Sequence, residues 1–350
     1  MSDADQSWDG GPVAALRRIA FLLERAREDT YKVKAFRGAA AAILPLPEEQ
    51  VAAAAAAGTL TELPGVGASS AQVIAEAVRG VVPARLARLE AEHGGQLTER
   101  GQALRAHLLG DLHSHSDWSD GGSPIEEMAF TAIELGHAYL VLTDHSPRLT
   151  VARGLSPNRL AAQLDVVDAV NDHLSEVTFT LLKGIEVDIL LDGSLDQSDE
   201  MLARLDLRVA SVHSKLDMDA PAMTQRMIKA VSNPFTNVLG HCTGRLVTGN
   251  RGMRRPSDFD ARAVFEACEE HGVAVEINSR PERRDPPADL LELARDVGCL
   301  FSIDSDAHAP GQLDFLVYGC ERAEDAGIDP ARIVNTWHRD ELLTWARRID

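Results

Sequence analysis

The sequence predicts an α/β protein: a βα barrel over residues 107–350, behind a small all-helical domain over residues 1–100. A change of pattern along the chain carries that expectation. Up to about residue 95, apolar residues recur at helical spacing; beyond residue 105, short apolar, β-branched runs alternate with helical stretches. Seven or eight such units form a parallel sheet, and in so few residues a closed barrel suits them better than an open sheet.

The helical part opens with PVAALRRIAFLLERARED (12–29), whose apolar positions line one helix face, and the alanine-rich stretch 51–57 favours helix by propensity. In ELPGVGASSAQVIAEAVRG (62–80) a tight turn at Gly65, Val66 and Gly67 leads into an amphipathic helix. Glycine lets a backbone approach a partner closely, and N–H groups at a helix start can hold a phosphate, although such a turn also serves simply to join two helices. In the second part the strand-like runs are AYLVLTDH (138–145), VTFTLLKGIEVD (177–188), LRVASVH (207–213), TNVLGH (236–241), VAVEIN (273–278), CLFSIDSDAH (299–308) and FLVYG (315–319).

Composition narrows the class. A net charge of −19 argues against nonspecific polyanion binding by the whole surface. The imbalance is uneven: residues 1–100 hold 11 basic and 13 acidic side chains, and the rest 24 and 41. A carboxylate-rich body facing an anionic substrate calls for bound cations. No apolar run is long enough for a membrane span, and the polar, acidic start MSDADQSWDGG does not read as a signal peptide. Cys242, Cys268, Cys299 and Cys320 show no C-x-x-C spacing and read as reduced core thiols of a cytoplasmic protein.

Six of the twelve histidines fall at or just beyond the ends of apolar runs: His113, His115, His145, His213, His241 and His308. Asp120, Glu186 and Asp306 fall there too. In a βα barrel the C-terminal strand ends converge on one mouth, so nine imidazoles and carboxylates would meet. Uncompensated, that many ionisable groups would be costly to bury. Cations that accept neutral imidazole nitrogen and carboxylate oxygen remove the cost, and nine donors exceed the roughly four of one zinc site, so two or three ions are expected. Mixed N/O donors without thiolate suit zinc, manganese or iron. Such a cluster lowers the pKa of bound water towards ~7 and clamps phosphoryl oxygens, which makes phosphoester hydrolysis the natural chemistry. Lys215, Arg245, Arg280 and Arg283 are the candidates for gripping non-bridging oxygens.

The motifs GDLHSHSDWSDG, LTDHSPRLTVARGLS, GIEVDILLDGSLD, VASVHSKL, LGHCTGRL, EINSRPERRD and SIDSDAH, in that order, resemble the PHP (polymerase and histidinol phosphatase) domain. The resemblance is greatest to the version carried by bacterial family X DNA polymerases. It implies a distorted seven-stranded TIM-like barrel with three divalent metals held by His113, His115, Asp120, His145, Glu186, His213, His241, Asp306 and His308, Glu186 bridging two of them. All nine positions match, which implies an active site. YKVKAFRGAAAAI and LPGVGASSAQVIAEAVRG resemble the helix-hairpin-helix domain of the same polymerases, which implies DNA contact through Gly65, Val66 and Gly67. Two departures matter. The lyase lysines of such domains would fall near Ser69 and Val73, which cannot form a Schiff base, and no room remains for a polymerase palm between the two regions. Neither lyase nor polymerase activity is therefore expected.

The expected function is a metal-dependent DNA phosphodiesterase that trims 3′ ends or incises at abasic sites. A small-molecule phosphomonoesterase, of the histidinol-phosphate or nucleotide type, is the alternative. A noncatalytic DNA-binding module with vestigial metals is the third reading, and it predicts that Asp306→Ala leaves function intact.

Overall fold

The computed structural model describes residues 7–248 and 252–347, so the first residues of the polar N-terminal stretch lie outside the described residues. The chain divides into two compact units, with the boundary in the sequence between Gln96 and Leu97. No helix of the described residues is long and apolar enough to cross a membrane.

The first unit is helical: α1 (Gly11–Arg25), α2 (Thr30–Ile43), α3 (Glu48–Ala57), α4 (Ala68–Val78) and α5 (Ala84–His93). α1 buries Leu16, Ile19, Ala20 and Leu23, a helical stripe that packs chiefly on α2, α4 and α5. Glu24 would be costly there alone; the Arg37 guanidinium lies 2.8 Å from it and shares the burial.

The second unit begins with the single turn α6 (Gln102–Arg105) and continues as βα units. The strands are β1 (Gly110–Ser114), β2 (Tyr139–Leu142), β3 (Thr180–Asp188), β4 (Leu207–Ser211), β5 (Val238–Leu239), β6 (Ala274–Asn278) and β7 (Leu300–Asp304). They form one parallel sheet in sequential order, and the Ser114–Ala307 bridge brings its two edges together as a distorted seven-stranded barrel. Between the strands lie α7 (Ile125–Glu134), α8 (Pro157–His173), the single turn α9 (Asp199–Leu202), α10 (Ala220–Val231), α11 (Ala261–Glu270) and α12 (Ala288–Val297). α13 (Leu316–Asp325) and α14 (Arg339–Ala346) follow β7. Side-chain caps fix several helix starts: Ser156, Asp219 and Asp260 accept from Arg159 N, Ala222 N and Ala263 N.

Strand alternation explains the barrel's polarity. Tyr139, Val141, Leu182, Leu207, Val209, Val238 and Ala274 form one apolar cluster with Leu342 of α14. Two or four residues further along the same strand faces come Glu186, Ser211, His213 and Glu276. The interior is thus apolar where the strands begin and ionisable where they end. The run FLVYG, expected as strand-like, is instead the start of α13. Leu316, Val317, Cys320 and Ala323 are its buried positions, a helical spacing that only the continuation CERAED reveals.

Candidate metal centre

The strand ends and the loops after them bring nine ionisable side chains into one cluster. His113 lies in β1, Glu186 in β3, and His145, His213, His241 and Asp306 follow β2, β4, β5 and β7 within a few residues. Glu186, 1% exposed, is the hub. Its carboxylate lies 2.8 Å from His145 Nδ1, 2.9 Å from His241 Nε2 and 3.1 Å from His213 Nε2. His113 Nε2 and His115 Nε2 stand 3.4 and 3.6 Å away. Asp120 sits 3.3 Å from His145 Nε2 and 3.4 Å from His308 Nε2, and Asp306 lies 3.4 Å from His115 Nε2. Asp306 adopts a left-handed φ of 50°.

Electrostatics within the cluster is uneven. Burial raises the cost of ionising Glu186, but the surrounding His213, His145 and His113 hold it well below the usual carboxylate range. Asp306 is likewise kept ionised, against burial, by Arg283 and His113, and Asp120 by its hydrogen bonds to His145 and His308. Burial disfavours charge on the imidazoles of His113, His115, His145, His213 and His241. It dominates at His115, pushed down to about 3 with His308 and His145 adding repulsion, whereas Glu186 and Asp120 overcome it at His145, raised to about 10.

Three groupings have donor atoms close enough to share an ion: His115, Asp120, His145 and His308; His113, His115 and Asp306; His145, Glu186 and His213. His113 Nε2, both nitrogens of His115, His145 Nδ1 and His241 Nδ1 are buried without a hydrogen bond. Orphaned imidazole nitrogens facing carboxylates are the donor set that divalent cations require, so the residues present fit such ions.

A supporting layer was not singled out from the sequence. Glu276, fully buried in β6, lies 2.5 Å from His113 Nδ1 and accepts from His241 N and Asn278 Nδ2. Asp188 lies 3.0 Å from His213 Nδ1. Each orients an imidazole so that Nε2 points into the cluster. Asp144 anchors the loop after β1 by accepting from Ser116 N, Ser116 Oγ and Gln163 Nε2. Beneath them Asp111 is raised to about 8 by burial and by Asp304. A charged residue within an otherwise apolar strand run was the available signal for Glu276.

Of the four basic candidates, two reach the cluster. Arg280 Nη1 donates to the Asp306 carbonyl at 2.9 Å and lies 2.9 Å from His308 Nδ1. Arg283 Nε donates to Asp306 Oδ2 at 3.1 Å, while its Nη1 is buried without a partner. Arg245 instead donates to the carbonyls of Arg283 and Arg284. Lys215 is exposed, with a left-handed φ of 53°. In the helical unit, Gly65 takes a φ of 85° that suits glycine, Gly65 and Gly67 are exposed, and Val66 is buried beneath them. Ser69 is exposed and Val73 buried, so neither position presents an amine.

Comparison with known proteins agrees with this layout. Residues 12–80 match the helix-hairpin-helix domain family and residues 111–280 the PHP domain family. The chain is 34% identical over 255 residues to the DNA polymerase/3′-5′ exonuclease PolX of Bacillus subtilis strain 168, an alignment covering 73% of this chain and 43% of that protein. It therefore spans less than half the length of this relative. It is 26% identical over 241 residues to a probable phosphatase of Thermoanaerobacter sp. strain X514, covering 65% of this chain and 91% of that one. Among solved structures, the histidinol phosphate phosphatase of Lactococcus lactis subsp. lactis, complexed with zinc, L-histidinol and phosphate, superposes with a TM-score of 0.47 at 19% identity. That superposition covers 63% of this chain and 94% of that one, and is too distant to carry an argument about chemistry. The chain therefore carries a helix-hairpin-helix domain followed in sequence by a PHP domain.

Proposed function

We propose that the barrel hydrolyses phosphodiesters at DNA 3′ ends, as a 3′-5′ exonuclease or an abasic-site nuclease, with three divalent ions held by the nine clustered residues. The observation that carries this reading is the convergence of unmatched, buried nitrogens of His113, His115 and His145 on the Glu186 carboxylate, with the Arg280 and Arg283 guanidinium groups at neighbouring Asp306. His113, His115, Asp120, His145, Glu186, His213, His241, Asp306 and His308 would hold the ions, Glu186 between two of them. Bound divalent ions would supply acidified water and neutralise phosphoryl charge. The chain's own contribution is positional. Glu276 and Asp188 fix the imidazoles, and Arg280 and the unpartnered Nη1 of Arg283 meet non-bridging oxygens.

DNA is favoured as substrate by the helix-hairpin-helix domain in the same chain and by the 34% identity to a polymerase/exonuclease. The hairpin around Gly65, Val66 and Gly67 would then hold the DNA backbone. The probable phosphatase relative, which the alignment covers almost entirely, supports a second reading as a phosphomonoesterase for small molecules. One panel separates them: 3′-labelled oligonucleotides, abasic duplexes and phosphomonoesters, each with manganese, alongside elemental analysis of the isolated protein. Shortening of the oligonucleotides that weakens steeply with salt is the expected result. Brisk monoester turnover with intact oligonucleotides overturns it.

A further inference from the structure

Two loops at the mouth of the barrel stand apart from the rest of this acidic protein. Among the described residues of the barrel unit, the two most exposed large apolar side chains are Val151, 90% exposed, and Met253, 84% exposed. Val151 lies on the loop after β2, with Arg148 and Arg153 on either side; Met253 lies on the loop after β5, followed by Arg254 and Arg255. Neither 146–155 nor 246–256 contains an acidic residue, in a chain of net charge −19.

Described residues of both loops are tied down by backbone hydrogen bonds. The first is a 3-10 turn over Thr150–Ala152, its return fixed by Leu155 N donating to His145 O at 2.7 Å. Asp196 accepts from Arg148 N at 2.5 Å, and a Cβ on Gly154 would stand 1.8 Å from Ser146 O, so the chain is pressed against itself there. The second is pinned by reciprocal hydrogen bonds between Leu246 and Arg254 of 3.0 and 2.9 Å. The loops follow β2 and β5, three positions apart in a ring of seven, and so leave the mouth of the barrel at well-separated points of its rim. Each loop thus presents one large apolar side chain to solvent with basic neighbours and no acidic residue in its own segment.

We propose that Val151 and Met253 are the two jaws of a clamp for an unpaired DNA end. Each packs against a nucleobase, on opposite sides of the phosphodiester at the metal centre, while Arg148, Arg153 and Arg255 track the flanking phosphates. The pairing of a bare apolar contact with basic neighbours matches single-stranded nucleic acid, which offers base faces and phosphates at alternating positions. The inference rests on the DNA reading above. Leu191, also exposed on a mouth loop, has Asp192 beside it and no basic residue in Ile189–Ser198, and lies outside the clamp.

The test uses the full chain and a 5′-fluorescein-labelled single-stranded 12-mer with phosphorothioate linkages at its 3′ end. Fluorescence anisotropy reads binding, and turnover of p-nitrophenyl phosphate with manganese reads the centre. Val151→Gln and Met253→Gln should each weaken binding about fivefold, the loss of one apolar contact, and together about twentyfold. Leu191→Gln should change it less than twofold, and monoester turnover should stay at the wild-type level throughout. A double variant that binds like wild type overturns the clamp, as does a parallel fall in monoester turnover. So does light scattering that finds a wild-type dimer and a monomeric double variant, which would make the tips a contact between copies. If wild type shortens an unmodified 12-mer and the double variant does so equally, the clamp alone falls. If wild type neither binds nor shortens DNA yet turns over the monoester, the DNA reading falls with it.

Discussion

The two ends of the barrel bury polar groups in opposite ways. Where the strands begin, Arg208 is 2% exposed, yet its guanidinium donates to the carbonyls of Phe235, Leu205 and Ala346. Asn237 accepts from Arg208 N and donates to Ala346 O, and Asn335 accepts from Ile303 N and donates to the carbonyls of Gly110 and Ile303. Where the strands finish, five imidazole nitrogens of the cluster have no hydrogen bond. The residues that carry those nitrogens, His113, His115, His145 and His241, are buried like Arg208. A polar side chain that only builds the fold is matched by backbone carbonyls and amides, whereas one that awaits a ligand is left unmatched and aimed at others like it. Convergence is the discriminating feature: His137 Nδ1 is also buried and unmatched, but stands apart from any such cluster.

Breaking either end should therefore give a different phenotype. The largest expected effect is at the hub. Glu186→Gln should lower kcat by roughly 10³-fold or more and reduce bound metal, with far-UV circular dichroism unchanged, as read by activity assay and elemental analysis. Arg208→Met, at the opposite end, should cost about 3 kcal/mol by stranding buried carbonyls, visible as a lower Tm and denaturant midpoint. Its activity per folded molecule should stay near wild type. Glu276→Gln sharpens the contrast, because this residue is matched itself and acts by orienting His113 and His241. Metal affinity should fall about 10- to 100-fold in a titration against a chelator, with Tm of the metal-free protein changing little.

The smallest effect belongs to His137. Burial, and then the charge of Arg105, whose Nη2 lies 2.8 Å from His137 Nε2, push its pKa down to about 3 from 6.5. Below pH 6.5 the unfolded chain takes up a proton that the folded chain refuses. The stability is therefore intact above 6.5 and is lost as the pH falls towards 3, by about 2 kcal/mol at pH 5. His137→Gln should narrow the difference between Tm values measured at pH 7 and pH 5. An unchanged difference would mean that the imidazole gains its proton on the folded protein.

Much of this was legible before the fold was known, for a physical reason. A histidine or carboxylate that terminates an apolar run has to sit at a strand end, and in a parallel barrel all such ends share one mouth, so His113, His145, Glu186, His213 and His241 could be placed from order alone. Glu276 was not legible in that way, since VAVEIN reads as a plain buried strand and its charge becomes meaningful only once His113 is seen 2.5 Å away. Arg245 beside His241 looked equivalent to Arg283, yet it binds the backbone of the next loop, a direction that sequence spacing does not encode. The mistaken strand at FLVYG has the same origin: five apolar residues fit a strand and a buried helix turn alike, and packing on the barrel decides.

The left-handed backbone at Asp306 restricts what can stand there. Asparagine and aspartate tolerate that conformation better than other side chains with a Cβ, because their short polar groups can bond locally, whereas alanine carries an intrinsic penalty of roughly 1–2 kcal/mol. Loss of function in an alanine variant would thus blend lost coordination with a relaxed loop that also displaces His308. Asparagine keeps the shape and removes the charge, and so is the cleaner instrument for asking what the carboxylate does.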